Sequence, residues 1–502
     1  MLFYRMLCAL EPGHIARAPF TRINWRNRCC LGLSASAAAL ALLLAGGCTL
    51  TPPGTKDEQK RLADVGKSYE QPFEQRDIPD LPPDPTWKDI LQRAFLTNGD
   101  IEAAYFRWKG AVERIGIAGA YPNSDVSLGY SYMFSSERMN SFDRSTFTAG
   151  FDSSMNLSLP VKVQQAAKVA LDEARVEGEK FRVAKFDLQR TVLKSWADYV
   201  LQDRVISLRS EDVALRRAMV QAASAGARAG GRVRETIAAD LELRTAESEL
   251  LDLRVQHDSS RASLNVLIGR PPKAPLAAPA TLPPLRKLPD DDVVMLRAAS
   301  EVFPEIAAMA REVEGRADAI ELARLRWLPD INPTLGFTGS VSQAVGAMIT
   351  LPTTIARIKG QVREAESDLR ASQAQLRQRT SDRVGEFVSL LLMYRNAQRH
   401  AELFERVLLP AAERLSADQS RAYEVGAAKF AEVIESRRVM LTIREQVAAA
   451  RADMDKVVVE IECCLGVDIE TIPAAAAAAS SVVSNRFPAI EAAARGNQEV
   501  HP

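Results

Sequence analysis

Two segments of the chain share a plan that narrows the possible folds sharply. Each begins with alternating polar and apolar residues, reaches a Leu-Pro pair and continues as a long helical pattern. The first reads MNLSLPVKVQQAAKVALDEA over 155–174, and the second reads MITLPTTIARIKGQVREAE over 348–366. Proline suits the first turn of a helix, where its missing N–H would be unpaired in any case. The sequence therefore predicts two strands that each lead directly into a long helix.

The alternating residues define two predicted β-hairpins, over 125–159 and 331–351. One face of each is apolar: Val126, Leu128, Tyr130, Tyr132, Phe134, Phe147, Ala149, Phe151, Met155, Leu157 and Leu159 in the first hairpin, and Ile331, Leu335, Phe337, Val345, Ala347, Ile349 and Leu351 in the second. The opposite face of the first hairpin carries mostly Ser, Gly, Thr, Asn and Asp. This alternation is typical of transmembrane β-barrels. Because four strands cannot close a barrel and lipid tolerates no open sheet edge, we expect a symmetric oligomer.

Long helical patterns follow both hairpins. One starts at Pro160 and runs to about 228, and its partner returns toward 272. The other starts at Pro352, runs to about 424 with a kink expected at Pro410, and is followed by a return helix. Apolar and small residues after Pro352 step by three and four, as in a coiled-coil seam: Ile355, Ile358, Val362, Ala365, Leu369, Ser372 and Leu376. Fold class is therefore predicted as mainly α with a small β part.

The chain reads as two copies of one plan. The first structural repeat covers 86–272, with Thr86 as the expected cap of its first helix, and the second covers 292–470. A Pro-rich linker over 273–291 joins them. The landmark prolines and glycines occur in the same order in both copies: Pro122, Pro160, Gly231 and Gly269, then Pro329, Pro352, Gly426 and Gly466. This order indicates an internal twofold repeat.

The N-terminus is expected to be processed. Residues 1–47 combine a basic stretch, an apolar stretch and small residues, which is typical of a secretory signal, and the AGGC ending resembles a bacterial lipoprotein signal with Cys48 as the lipidated residue. An ordinary signal followed by a chance cysteine is the alternative. Residues 48–85 are interpreted as a lipidated N-terminus and extended linker, and the Ala-rich tail over 471–502 as disordered. Cys463 and Cys464 are predicted to be buried thiols in a last helical turn.

Taken together, these segments resemble the TolC-like outer-membrane efflux family (outer-membrane factors) from about Trp87 to Gly466. LQRAFLTNGDIEAAYFRWKGA is similar to the first helix of that family, LSLPV and ITLPT to its strand-to-helix junctions, and LNVLIG and ECCLG to the ends of its paired helices. VLLPAAERLSADQSRAYEVGAAKFAEVIES is similar to its second periplasmic tip. The resemblance implies a homotrimer in the cell outer membrane, with a 12-stranded β-barrel on a helical α-barrel in the periplasm. It also implies a periplasmic adaptor (membrane fusion) protein and an inner-membrane pump as partners, with proton-driven coupling as the expectation.

The resemblance also implies roles for residues at the tips. Glu432 and Glu435 match acidic positions that line the periplasmic aperture, and Tyr423 matches an aperture tyrosine; a solvated helix face is the alternative for the two glutamates. The family's basic partner position holds Ala428 here, with Lys429 beside it. Docking on the adaptor is expected at the two reversals: Val425, Gly426 and Ala427 in the second, and Ala229, Gly230 and Gly231 in the first.

Catalytic and metal functions are not indicated by any motif. RAGGR lacks the Gly-Lys-Ser/Thr ending of a phosphate loop, and the histidines have no metal-ligand spacing. Zero formal net charge gives no indication of nucleic-acid binding. We therefore predict no enzyme and no cofactor other than the lipid on Cys48. The family resemblance, with the paired hairpins and long helices, implies the outer-membrane channel of a tripartite efflux system, a passive export duct from periplasm to exterior for drugs, metals or other small molecules. The outer-membrane duct of a type I protein secretion system, and less so a periplasmic coiled-coil scaffold without a pore, are the alternatives.

Overall fold

A computed structural model describes residues 49–120, 126–134, 140–151, 158–228, 233–279, 286, 288, 303–338 and 342–466, and for 126–128, 148–151, 332–338 and 342–348 it describes the backbone only. The predicted signal peptide, Cys48, the first reversal at 229–232, the beginning of the second repeat and the tail lie outside these residues. The described elements are α1 (Thr55–Gly66), α2 (Trp87–Thr97), α3 (Gly99–Gly119), β1 (Val126–Tyr132), β2 (Ser145–Phe151), α4 (Pro160–Arg228), α5 (Val233–Leu267), α6 (Pro304–Leu325), β3 (Asp330–Thr338), β4 (Ser342–Thr350), α7 (Ile355–Leu403), α8 (Leu409–Glu424) and α9 (Phe430–Leu465).

The long helices follow the predicted plan. Helix α4 begins at Pro160, as predicted, and its 69 residues extend for about 100 Å at ~1.5 Å per residue. Proline is absent after its first position, so no backbone hydrogen bond is lost along its length. Helix α5 packs on α4, α4 packs on α9, and α9 packs on α7 and α8. The helices thus form a layer with α5 at one edge and α7–α8 at the other.

The four strands form one antiparallel sheet in the order β1-β2-β3-β4. Its register places apolar residues opposite one another across the sheet: Tyr130 pairs with Phe147, and Phe147 with Phe337. One residue along, Gly129 pairs with Thr148 and Thr148 with Gly336. Because side chains alternate between faces, the register gathers the apolar residues on one face and small polar residues and glycines on the other. Residues 152–157 of the first predicted hairpin lie outside the described residues.

The main hydrophobic core lies where α1, α2 and α3 pack on α4. Trp108 is 1% exposed and stacks on Phe181, with 5.8 Å between the ring centroids. Its Nε1–H donates to Glu58 Oε1 at 2.8 Å. A Cβ on Gly178 would come within 3.0 Å of the indole, so this glycine allows α3 and α4 to pack closely. A second hydrophobic core joins α7 and α9 and includes Phe387, Tyr394, Val458 and Ile461.

Two local features differ from the sequence prediction. An extended linker was expected over 48–85, whereas residues 55–66 form helix α1, which packs on α3 and α4. One continuous helix was expected from Thr86 onward, but α2 ends before Asn98 and α3 starts after it. The Asn98 side chain accepts hydrogen bonds from Asp100 N at 3.0 Å and Ile101 N at 3.2 Å, and so caps α3. Thr86 does cap α2, in a capping box with Asp89.

The helix predicted to kink at Pro410 is interrupted close to that proline. Residues Phe404–Leu408 form one π-helical turn between α7 and α8, and Pro410 is the second residue of α8. The first turn of a helix tolerates proline because its missing N–H needs no partner within the helix there. The coiled-coil seam is present at the start of α7, where Ile358 and Ser372 are buried and the residues between them on the seam are partly buried. No helix among the described residues has both the length and the apolar composition that a membrane span requires.

Candidate functional site

The second reversal is a tight turn that depends on one glycine. Gly426 has φ +76°, a left-handed conformation that side-chain-bearing residues rarely adopt. The turn is closed by Gly426 N–H donating to Tyr423 O at 3.0 Å and Ala427 N–H donating to Ala422 O at 2.8 Å. A Cβ on Gly426 would meet no atom within 4 Å, so conformation rather than crowding selects glycine here. Val425 is 79% exposed at the end of the turn.

The predicted aperture residues lie within two turns of this reversal. Glu432 is exposed, and its carboxylate accepts a hydrogen bond from Lys429 N at 3.3 Å, so it caps the first turn of α9. Tyr423 is half-exposed, and its ring lies 5.8 Å from that of Phe430. This contact ties the end of α8 to the start of α9. The docking residues of the first reversal, Ala229 to Gly231, lie outside the described residues.

Glu435 takes part in an ionic network that joins three helices. Arg438 Nη1 donates to Glu435 Oε2 at 2.9 Å within α9, and Arg438 Nε donates across to Asp212 Oδ1 on α4 at 3.3 Å. Asp212 Oδ2 also accepts from Arg216 Nε at 2.8 Å. Arg216 reaches Glu242 on α5 at 3.1 Å, and Arg438 approaches the same carboxylate at 3.8 Å. We call these five residues the tip network.

Further ion pairs join α4 to α9 above the tip network. Arg209 pairs with Glu445 at 2.9 Å, and Lys194 pairs with Glu460 at 2.6 Å. A cavity of about 190 Å³ between α4 and α9 is lined by four of the tip-network residues, all except Glu242, together with Arg209 and Glu445. The ion pairs around this cavity connect α4 to α9.

Sequence reasoning identified Glu435 but missed its partners. Asp212 and Arg216 are four residues apart, and Glu435 and Arg438 are three apart, so each pair reads as an ordinary ion pair on one helix. Only the packing of α4 against α9 brings the two pairs together. Asp212 is 6% exposed, and burial of this carboxylate is the feature that the linear pattern could not supply.

The sheet and the helical layer both have open edges in a single chain. The strands β1 and β4 each pair on one side only within the described sheet. At the edges of the helical layer, α5 exposes Ile237, Leu241, Leu251 and Val255 at 57–70%, and α7–α8 expose Leu403, Val407 and Leu415 at 44–56%. The rings of Tyr130, which is 62% exposed, and Phe147 are 5.1 Å apart on the apolar face of the sheet. These edges and faces are surfaces that a monomer leaves in water.

Groups for metal or thiol chemistry are scarce in the described part of the chain, where no cluster of three or more His, Cys, Asp or Glu side chains could hold a metal ion. Burial, with the nearby Asp187 carboxylate, raises the pKa of the Cys463 thiol to about 12. Burial likewise raises the pKa of Cys464 to about 11. Both are free cysteines in the last turn of α9; Cys464 is buried, as predicted, whereas Cys463 is only partly buried.

Comparison with solved structures identifies the fold. VceC, an outer membrane protein of Vibrio cholerae, matches 76% of this chain and 96% of its own, with a TM-score of 0.59 and 18% identity. MtrE, an outer membrane channel of Neisseria gonorrhoeae solved in its open state, matches 76% of this chain and 89% of its own, with a TM-score of 0.62 and 18% identity. CmeC, an outer membrane channel of Campylobacter jejuni, matches 93% and 98%, with a TM-score of 0.57 and 13% identity. The chain has the fold of these outer-membrane channels.

At sequence identities of 13–18%, the structural similarity establishes only the fold. No protein-family model and no curated protein matches the chain. The long-helix architecture predicted from the sequence is confirmed by this fold. The tip residues, the lipid and the partners stay predictions.

Proposed function

We propose that this protein is the outer-membrane channel of a tripartite efflux system, acting as a passive duct from the periplasm to the exterior. The observation that carries the proposal is the pair of open edges, in the sheet and in the helical layer, of a chain with an outer-membrane channel fold. The apolar face of the sheet fits lipid, and the small polar face fits a water-filled lumen. A sheet in lipid must be closed, so several copies complete it.

Ring closure joins the edges of neighbouring copies. Strand β1 leads away from the helices and β4 returns to them, so β4 of one copy meets β1 of the next as an antiparallel pair. In the same way α5 runs back from the tip while α7–α8 run toward it, and these edges meet as antiparallel helices. Three copies supply the 12 strands that the family resemblance implies. One head-to-tail ring of copies therefore closes both the sheet and the layer of helices.

The exposed apolar residues of the two helical edges lie at matching heights. Leu241 lies 8 residues after the start of α5 at Val233, and Leu415 lies 9 residues before the end of α8 at Glu424. Leu251 and Val407 lie 18 and 17 residues from the same two ends. The approach of Arg438 to Glu242 places the start of α5 and the start of α9 at similar height. In the proposed ring, Leu241 is thus level with Leu415 of the neighbouring copy, and Leu251 with its Val407.

Cysteine cross-linking tests this assembly. In a chain with Cys463 and Cys464 replaced by Ala, the pair Leu241→Cys and Leu415→Cys should form disulfide-linked dimers and trimers in outer-membrane fractions. The matched control pair Leu241→Cys and Leu403→Cys lies about 20 Å out of level at ~1.5 Å per residue and should stay unlinked. Monomers only, for the first pair and for Leu251→Cys with Val407→Cys, would contradict the proposed ring.

The tips are the proposed gate and docking site. In a threefold ring, Glu432 and Glu435 form acidic rings at the periplasmic aperture, which favour cations, and Tyr423 narrows it. The turn at Val425, Gly426 and Ala427 docks a periplasmic adaptor that is coupled to a proton-driven inner-membrane pump, with Ala229, Gly230 and Gly231 as the second contact. Adaptor binding biases the tip helices toward the open state.

The lipid anchor is supported by the position of residue 50. Leu50 N–H donates to Gly119 O at 2.8 Å, at the end of the helix that precedes β1. Residue 50 thus lies beside the end of α3, and we propose that a lipid on Cys48 anchors the chain to the outer membrane. Radioactive palmitate should label the wild-type protein, and Cys48→Ser should abolish the label while leaving the cross-linked trimer intact. Equal labelling of wild type and Cys48→Ser would show that Cys48 is not the lipidated residue, without bearing on the proposed channel.

A further inference from the structure

Two carboxyl groups, one buried and one partly buried, face each other between α4 and α6, away from the tips and from the edges of the ring. Asp172 on α4 is 3% exposed, and Lys168, one turn before it on the same face of α4, donates from Nζ to Asp318 Oδ1 on α6 at 2.8 Å. The carboxyl group of Asp318 is thereby held beside that of Asp172. We propose that Asp172 and Asp318 share one proton and form a proton-binding site between the two helices. The site lies 12 residues along α4 from Pro160, which is about 18 Å below the sheet.

Hydrogen bonds around the pair leave a place for this proton. Asp172 Oδ1 accepts from Arg175 Nη1 at 3.1 Å, whereas Asp172 Oδ2 is buried and has no donor among the described residues. Asp318 Oδ1 accepts from Lys168 Nζ at 2.8 Å. Gln165 Nε2 donates to the Asp318 backbone oxygen at 2.9 Å. Two ionised carboxylates are acceptors only, so a contact between them is favourable when one carries a proton and donates it to the other.

The backbone of α6 is built for this contact. Gly315 lies three residues before Asp318, on the same face of the helix. A Cβ on Gly315 would come within 3.2 Å of the Cβ of Asp172. The glycine therefore allows α6 to approach α4 closely enough for the carboxyl groups to meet, and the close approach excludes the water that would otherwise solvate two charges.

Charged groups facing the pair are few. Arg175 and Lys168 act from α4, and Asp318 acts from α6. Other charges of α6 near this level are engaged elsewhere: Glu314 with Arg311, and Arg316 with Glu312. Two cations thus face two carboxyl groups, one of which is almost fully buried.

The proton is held on Asp172. Burial, with the hydrogen bond to Asp318, raises the pKa of Asp172 to about 6. Burial opposes ionisation of Asp318 as well, but hydrogen bonds from Lys168 and Asp172 outweigh it and lower the pKa of Asp318. A carboxyl with a raised folded-state pKa stabilises the fold at low pH and loses that contribution as pH rises through the raised value. The contribution of Asp172 to the contact between α4 and α6 is therefore fully present below the ordinary Asp pKa, declines as the pH rises toward about 6, and is lost at neutral pH.

Infrared spectroscopy of the full-length protein in detergent detects this proton directly. Between about pH 5 and about pH 8, wild type should lose carboxylic-acid carbonyl absorption from two buried groups, since burial also raises the pKa of Asp455 to about 6. Asp172→Asn should remove one component and Asp455→Asn the other. The control Glu173→Gln replaces an exposed neighbour on α4 and should change neither. A titrating band that survives unchanged in Asp172→Asn would overturn the proposal.

A second variant tests the sharing and does not depend on how well Asp172→Asn folds. In Asp318→Asn the amide can donate a hydrogen bond to the ionised Asp172, so Asp172 should ionise at clearly lower pH, and its carbonyl component should disappear at lower pH than in wild type. A component that keeps its wild-type midpoint in this variant would show that Asp172 holds a proton alone, and would contradict the shared site.

Discussion

Replacement of Asp212 gives the sharpest prediction from the tip network. This carboxylate is 6% exposed and is the point at which Arg438 of α9 is held to α4. In Asp212→Ala, Arg438 keeps its contact with Glu435, and Arg216 keeps its contact with Glu242. The cost should therefore fall below the 3–5 kcal/mol of a fully orphaned buried charge.

One charge-assisted hydrogen bond between the helices is lost, at about 2 kcal/mol. At ~1.4 kcal/mol per tenfold, this corresponds to about a 30-fold shift toward separation of α9 from α4 near the tip. Amide hydrogen exchange over 436–447 of α9 should accelerate by about that factor where exchange follows local opening. The control Asp418→Asn removes a pair within exposed α8 and should leave these amides unchanged. An acceleration below about threefold in Asp212→Ala, or an equal one in the control, would refute the reasoning.

Three further predictions concern the core, the turn and the thiols. Trp108→Phe removes the N–H that donates to the buried Glu58 carboxylate, and should lower the free energy of unfolding by about 1–3 kcal/mol in denaturant titrations. Phe106→Leu, at a more exposed site, should lower the free energy of unfolding by less. Gly426→Ala forces a left-handed alanine at about 1–2 kcal/mol and should speed proteolysis at the second reversal, with no change in the global melting temperature. Cys463 and Cys464 should react slowly with a maleimide at neutral pH, because their raised pKa values leave little thiolate. The rate should rise by up to tenfold for each unit of increase in pH. Rapid labelling at neutral pH would contradict the raised pKa values.

The sequence was most informative where one residue decides the local backbone. The helix start at Pro160, the turn at Gly426 and the cap at Thr86 were all predicted, because proline, glycine and a capping threonine act through their own conformation or hydrogen bonds. The strand faces followed from strict alternation, which the register preserves.

Features that depend on tertiary packing escaped the sequence. Helix α1 buries Thr55, Glu58, Leu62 and Gly66 at helical spacing, but only one of these is a large apolar residue, so no apolar periodicity marks the segment. Glu58 of α1 is buried as the acceptor of a hydrogen bond from Trp108, which lies about 50 residues away along the chain. The tip network and the Asp172–Asp318 pair are similar, since each is made by side chains on helices that meet only after folding.

Single-channel recording in planar bilayers would show whether the protein is a channel. We expect the purified, detergent-extracted protein to form channels of small, cation-selective conductance, and we expect Glu432→Ala with Glu435→Ala to enlarge the conductance or remove its selectivity. If the double replacement changes neither conductance nor selectivity, the protein is still a channel, but Glu432 and Glu435 do not gate it. The absence of conductance in wild type, in the double variant and in Asp212→Ala would contradict the channel itself.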